Sequence, residues 1–165
     1  TGNVWEMLWD FSLVDGQWRY IPSSAGVQAS NAAGSAAWRA IRADTGALVD
    51  PASPGGPVRH YDTANGIALA VSSNVAATSV NAWYRDIAAG AVDPVPPIAM
   101  ALGLFPWSAS QPAIGRAYVV SARERLPIRG GGWSSGSLAG VAALNLNDGR
   151  GNASTNIGSR PAFAI

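Results

Sequence analysis

The chain has no cysteine and no lysine among its 165 residues, only one histidine, and charged residues make up just 13% of it. Without cysteine there are no disulfides, no thiolate metal sites and no cysteine nucleophiles, and the redox compartment is left open. A lone histidine cannot build a multi-histidine metal centre, and it supports a Ser/His/Asp triad only with unusual partners. His60 lies between Arg59 and Tyr61 in a strand-like run and reads as a structural or solvent-facing residue. The carboxylates are dispersed, with no D-x-D or E-x-x-E pair to suggest acid/base chemistry or a calcium loop. All basic charge is arginine, scattered along the chain at a formal net charge of +1, so no stripe forms for nucleic acid or an anionic membrane. No apolar run approaches the roughly 20 residues that a membrane-spanning helix needs. The opening "TGNVWEMLWD" lacks a basic region followed by an apolar one, and it starts inside a strand-like run, as expected of a piece of something longer.

What is abundant points to a turn-rich, β-containing single domain: 48% hydrophobic residues, 19 glycines, 11 prolines and 7 tryptophans. Trp5, Met7, Trp9, Phe11 and Leu13 share one parity, which predicts a strand. After the turn residues "VDG", Trp18 and Tyr20 alternate again, so the first 22 residues predict a hairpin with a buried aromatic face. The small-residue stretch 22–37 predicts a loop, with a weak alanine-rich helix as the alternative. "WRAIR" and "ALVDP" predict a second hairpin, followed by strand-like "VRHYD" and "IALAV". Val80, Trp83, Tyr84 and Ile87, with Gly90 as a stop, predict an amphipathic helix, and the prolines of "PVPPIAMALG" predict a second, short one. "AYVV", "LPIRGGGW", "GVAALNL" and "RPAFAI" predict four further strands.

The glycine-rich "RGGGW" lacks the spacing of a phosphate loop and fits a bulge within a strand. Between the last two predicted strands runs "NDGRGNASTNIG", a polar stretch with one aliphatic residue and one charge of each sign. On its own it reads as a solvated loop.

Three motifs in a fixed order, "GNVWE" at residues 2–6, "RLPIRGGGW" at 125–133 and "NIGSRPAF" at 156–163, resemble the C-type-lectin fold of formylglycine-generating-enzyme-like domains. The ending "RGGGWSSGSLAGVAALNLNDGRGNASTNIGSRPAF" is similar to the variable region of target-binding proteins diversified by diversity-generating retroelements. "LVDGQWRYIP", "SAAWRAI", "GALVDP" and "PIAMALGLFP" are similar to segments of phage and prophage members of that group, so the resemblance covers nearly the whole chain. Ser159 departs from it, standing where the family often has phenylalanine.

The resemblance implies an α+β domain of mostly short antiparallel strands with about two short helices, and residues 129–165 as the variable region with its scaffold. It also implies an N-terminal part of the fold before "GNVWE", supplied by upstream residues or by a second chain. In such proteins, mutagenesis of adenines in asparagine codons rewrites one surface. The positions implied here are Gly132, Ser134, Ser135, Ser137, Leu138, Asn147, Asp148, Gly149, Gly151, Asn152, Ser154, Thr155 and Asn156. The interleaved Trp133, Val141, Leu144, Leu146, Ile157, Pro161 and Phe163 are expected to hold the segment to a core. With small, polar candidates, this particular sequence is expected to bind weakly.

The enzyme relatives use cysteines with copper, or histidines with iron, and this chain keeps neither set. Those relatives also hold calcium near "GNVWE", which maps onto Gly2, Val4 and Glu6 as a structural site, with Glu6 serving within the scaffold as the alternative. No other cofactor is implied. The function implied is non-enzymatic binding of a protein or glycan on a target cell surface, by a phage receptor-binding module at the tail tip or by a bacterial surface adhesin. A structural tail or assembly protein without a specific ligand is the alternative. Neither nucleic-acid binding nor membrane insertion is expected.

Overall fold

The computed structural model describes residues 4–22, 30–53, 55–63, 66–72, 77–108, 110 and 115–158. They form a mixed α+β structure dominated by strands in two sheets. The strands are β1 (Trp5–Met7), β2 (Phe11–Val14), β3 (Gln17–Tyr20), β4 (Arg39–Ile41), β5 (Leu48–Val49), β6 (Arg59–Thr63) and β7 (Gly66–Ala70). They continue with β8 (Val80–Trp83), β9 (Arg116–Val119), β10 (Glu124–Arg125), β11 (Ile128–Gly130), β12 (Gly140–Leu146) and β13 (Ile157–Gly158). The first sheet has the order β13-β1-β11-β12-β9-β8; the second runs β10-β2-β3-β4-β5, with β6 on β3 and β7 on β6. The main core draws on both: Leu13, Trp18, Ile41, Val58, Ile67 and Leu69 come from the second sheet and its flanks, and Ala117, Val119, Leu144 and Leu146 from the first. A smaller core of Trp5, Met7, Leu126, Ile128 and Ala143 includes the other side of β1, β11 and β12.

The predicted first hairpin is present as β2 and β3, paired Leu13 to Trp18 and Val14 to Gln17. Asp15 and Gly16 at its tip both have positive φ (46° and 79°), the geometry whose twist matches two strands joined by a two-residue loop. The predicted long first strand, however, is two strands in different sheets. β1 pairs with β11 and β13, while β2 pairs with β3 and β10. The break falls at Trp9 and Asp10, and Trp9 is exposed. The alternation survives the break because Met7 enters the smaller core and Leu13 the main one.

The second hairpin (β4 and β5) and the pair β6 and β7 lie where the sequence predicts them. The described part of stretch 22–37 carries turns and bends, without a helix or a strand. The predicted amphipathic helix at 80–90 does not form. Val80–Trp83 is instead β8, paired antiparallel with β9, and Tyr84–Asp86 makes a single 3₁₀ turn. Val80 and Ala82 pack on the main core with the period of two that a strand requires. Gly90 is not a helix stop: its φ is +57°, and a Cβ there would sit 2.1 Å from the Leu69 carbonyl oxygen. The short helix α1 (Pro97–Ala101) is present, with proline at its start, and presents Ala99 and Ile98 to the core. The two-residue β10 has no counterpart in the sequence reading, and "RPAFAI" lies outside the described residues. Among the described residues no helix is long and apolar enough to cross a membrane.

Candidate functional site

β12 is the axis of the site. Ala143, Leu144 and Leu146 are fully buried, and the strand lies between parallel β9 and antiparallel β11. Residues 131–139 join β11 to β12 as a hairpin loop. Residues 147–156 leave the far end of β12 and return to β13, which runs parallel to β1 and hence to β12. The candidates therefore fall into two groups at opposite ends of β12. The seven residues of that strand separate the groups by about 20 Å.

At the first end the backbone of Gly130 and Gly131 adopts positive φ (95° and 89°), and the β11–β12 register shifts between Arg129 and Gly130. This is the bulge that "RGGGW" predicts. Gly132 is buried: its N–H donates to Ser135 Oγ (3.1 Å), and its carbonyl accepts from the Ser135 N–H (2.9 Å). The following 3₁₀ turn, Gly136–Leu138, leaves Ser134 and Ser137 exposed and Ser135 and Leu138 half-buried. Asn156 meets this group, because its carbonyl accepts from the Trp5 N–H (2.7 Å). A Cβ on Gly132 would lie 3.4 Å from the Asn156 Cβ and 3.2 Å from Trp5 Cδ1. Ser154 and Thr155 are exposed beside it, with the Ser154 carbonyl accepting from the Ile157 N–H (3.1 Å).

At the second end Asn147, Asp148 and Gly149 are half-buried, and Gly151 and Asn152 are exposed. Asn152 Nδ2 donates to Asp148 Oδ1 (2.5 Å), and the Asn152 N–H to the Gly149 carbonyl (3.1 Å). The segment is moored through its backbone: the Asn147 carbonyl accepts from Arg125 Nη1 (2.7 Å), and the Asp148 carbonyl from the Leu126 N–H (2.9 Å). The Asn147 side chain is tied as well, its Oδ1 accepting from Ser79 Oγ (3.2 Å) just before β8.

Arg150 is the residue here that the sequence reading passed over. It donates to both carboxylate oxygens of Glu124, from Nε at 3.1 Å and Nη2 at 2.7 Å, and this hydrogen bonding holds its guanidinium above the usual arginine range. It pins the middle of the segment to β10. The signal was its charge, the single cation between Asn147 and Gly158. Arg129 does comparable work at the first end: it donates to the Gly103 carbonyl after α1 and lies 5.7 Å from the Tyr84 ring centroid. Burial pulls its guanidinium below the usual range, and Tyr84, through attraction and a hydrogen bond, pushes the other way.

Two expected scaffold residues face outward instead. Trp133 is 73% exposed and Val141 87%. The positive φ of Gly130 and Gly131 turns the chain away from β11, so parity counted along the strand no longer holds at Trp133. Val141 lies on the same side of β12 as Ala143, away from the side that Leu144 and Leu146 bury in the main core. Leu144 and Leu146 are buried as expected and Ile157 packs on the smaller core; Pro161 and Phe163 lie outside the described residues.

Of the calcium positions, Gly2 lies outside the described residues. Glu6 stands on β1 opposite Arg129, and Val4 just precedes that strand. Calcium takes 6–8 oxygen ligands, and among the described residues no group of three or more His, Asp or Glu gathers that could hold a metal. Of the three, Val4 and Glu6 supply one carbonyl and one carboxylate toward such a set. His60 is 1% exposed and committed within the core. No protein-family model matches the chain, and no curated protein matches it at a significant level.

Proposed function

We propose that this chain is a non-enzymatic ligand-binding domain of C-type-lectin type, whose residues 131–139 and 147–156 form a surface diversified by a retroelement. Its place would be a phage receptor-binding module or a bacterial surface adhesin, and its ligand a protein or glycan on a target cell. The observation that carries the reading is the division of labour around β12. Ser134, Ser137, Gly151, Asn152, Ser154 and Thr155 are exposed, while Ala143, Leu144 and Leu146 are fully buried. The segment 147–156 is moored mainly through backbone carbonyls and the Arg150–Glu124 pair, so most candidate side chains can change without removing a mooring. Rigid mooring also limits the entropy lost when a partner binds. The exceptions are Ser135 and Asn147, whose side chains make moorings, and Gly132, where any side chain presses on Trp5 and Asn156. Trp133 and Val141, next to the first group in the sequence, add exposed apolar side chains.

The test is exchange at several positions together. Tyrosine at Ser134, Ser137, Asn152 and Thr155 is expected to lower Tm by no more than about 8 °C, since exposed substitutions each change stability by about 0.5 kcal/mol or less. A library randomised at the exposed candidates and displayed on yeast is expected to yield binders to an unrelated protein such as hen egg lysozyme. Unfolding of the four-tyrosine variant, or a library without binders, would favour a structural tail protein instead.

A further inference from the structure

A second polar site lies on the seven-stranded sheet, the one that does not contain β12. An open cavity of about 320 Å³ is lined there by Arg19 on β3, Asp50 just after β5, the small residues 33–36 and Ala52. Trp38 belongs to its frame and offers no face to a ligand: it is 2% exposed, and its Nε1 donates to the Ala32 carbonyl (2.9 Å). The two charged groups are oriented from behind. Arg19 Nε donates to Gln17 Oε1 (2.9 Å), and Gln17, 4% exposed, donates from Nε2 to the Pro51 carbonyl (3.1 Å), so one buried amide ties both walls together. Asp50 Oδ1 accepts from the Ala52 N–H (2.8 Å). These bonds leave one side of each group unused: among the described residues, neither the Nη groups of Arg19 nor Oδ2 of Asp50 has a hydrogen-bond partner. Nor do the two form an ion pair with each other. Partial burial, and then Arg59, lower the Arg19 pKa; Glu124, Asp15 and Asp50 hold it up, so Arg19 and Asp50 attract without touching.

The walls thus offer a guanidinium, which only donates, and a carboxylate, which only accepts. A simple anion on Arg19 would face Asp50, a simple cation on Asp50 would face Arg19, and an apolar molecule would strand both charges without partners. A molecule that carries both charges satisfies both walls. Its carboxylate can take the two Nη groups of Arg19 side by side, and its ammonium can donate to Asp50 Oδ2. Ser35 Oγ accepts from the Ala37 N–H (3.2 Å) and still has its own O–H to donate to the same carboxylate. An α-amino acid holds the two charges on one carbon. The size is at the lower end of the roughly 300–1,000 Å³ found for ligand pockets, and walls of alanine and glycine give a large side chain nothing to grip, so glycine and alanine fit best.

We propose that this cavity binds the zwitterion of a small α-amino acid, with the carboxylate on Arg19 and the ammonium on Asp50. The proposal does not depend on the exchangeable surface, and its failure would leave that reading untouched. The test is to titrate the ¹⁵N-labelled chain with glycine and L-alanine at constant ionic strength and neutral pH, following amide shifts. Glycinamide and N-acetylglycine, which each keep one of the two charges, are titrated beside them. Glycine or alanine is expected to shift the amides of Arg19, residues 34–36, Asp50 and Ala52, with a Kd of about a millimolar, as small polar ligands reach. The singly charged analogues are expected to bind about tenfold more weakly or worse. Arg19→Gln and Asp50→Asn are each expected to weaken glycine binding about tenfold or more. Gly34→Trp adds a side chain where a Cβ meets nothing within 4 Å, and is expected to abolish binding while both charges stay in place. Each variant is read only if its amide pattern away from the cavity matches the parent's, and Gly34→Trp decides should a charge substitution disturb the fold. The proposal is overturned if neither amino acid shifts these amides, if a singly charged analogue binds as tightly as glycine, or if glycine binding survives any of the three substitutions in a folded variant.

Discussion

Replacing His60 with leucine is expected to lower the unfolding free energy by about 3 kcal/mol at pH 7, through two orphaned buried groups. Trp18 Nε1 donates to His60 Nδ1 (2.7 Å), and His60 Nε2 lies 3.2 Å from the Leu104 carbonyl. With Nδ1 accepting, Nε2 carries the proton, so the neutral ring joins β3, β6 and the turn after α1. Leucine would leave an indole N–H and a carbonyl buried without partners. The effect should also depend on pH. Burial, chiefly, pushes the imidazole pKa down to about 3, against the ordinary 6.5; the Leu104 hydrogen bond works in the opposite direction and nearby Arg129 in the same one. Because the folded value is depressed, the neutral ring's contribution is complete above pH 6.5. It is lost as the unfolded chain takes up a proton that the folded chain refuses, at about 1.4 kcal/mol per pH unit toward pH 3. Urea unfolding of both proteins at pH 7, 5.5 and 4.5 should show the stability gap closing as pH falls. A gap that stays constant would mean that His60 is not held neutral.

Trp133→Ala is expected to do the reverse, with little effect on folding and a large one on binding. At 73% exposure the side chain supports little of the core, so the stability change should stay within about 0.5 kcal/mol. It stands among Ser134, Ser135 and Ser137, where a large, stiff aromatic ringed by small polar groups has the makings of a binding hot spot. In binders selected from the library against lysozyme, Trp133→Ala should therefore weaken affinity by about 30-fold or more, equivalent to about 2 kcal/mol. Unchanged affinity across several independent binders would remove Trp133 from the surface's function. The expectation of weak binding from small candidates alone thus omits Trp133, an exposed aromatic that stands among them in the sequence.

Much of the strand pattern was legible because alternation reports burial directly. Leu13 and Trp18 pair across the first hairpin, and Leu144 and Leu146 fill the main core, all as their spacing predicts. What misled was spacing that fits two periods. Val80, Trp83, Tyr84 and Ile87 match a helix, but Val80 and Ala82 also match a strand, and pairing with β9 decided between them. Trp9 kept the parity of its neighbours yet fell where the chain passes from one sheet to the other, and nothing in an alternating run marks such a crossing. At the candidate site, the Gly130–Gly131 bulge was visible as glycines, whereas the direction it sends Trp133 depends on φ angles that only the fold sets. The exposure of Val141 was not legible either, since Ala143 shares its parity and is fully buried. The split of the candidates on either side of β12 follows from their order in the sequence, whereas the return of Ser154, Thr155 and Asn156 to its first end does not, because it depends on the parallel pairing of β13 with β1.

The most direct measurement of the central claim is the sequence of this gene, with its flanking DNA, from sibling genomes. An exchangeable surface predicts substitutions confined to the candidate positions, at asparagine-type codons, with Ala143, Leu144, Leu146 and Arg150 unchanged, and a near-identical template repeat beside a reverse transcriptase gene. Substitutions spread evenly over the exposed residues of both sheets, with no such repeat nearby, would contradict it.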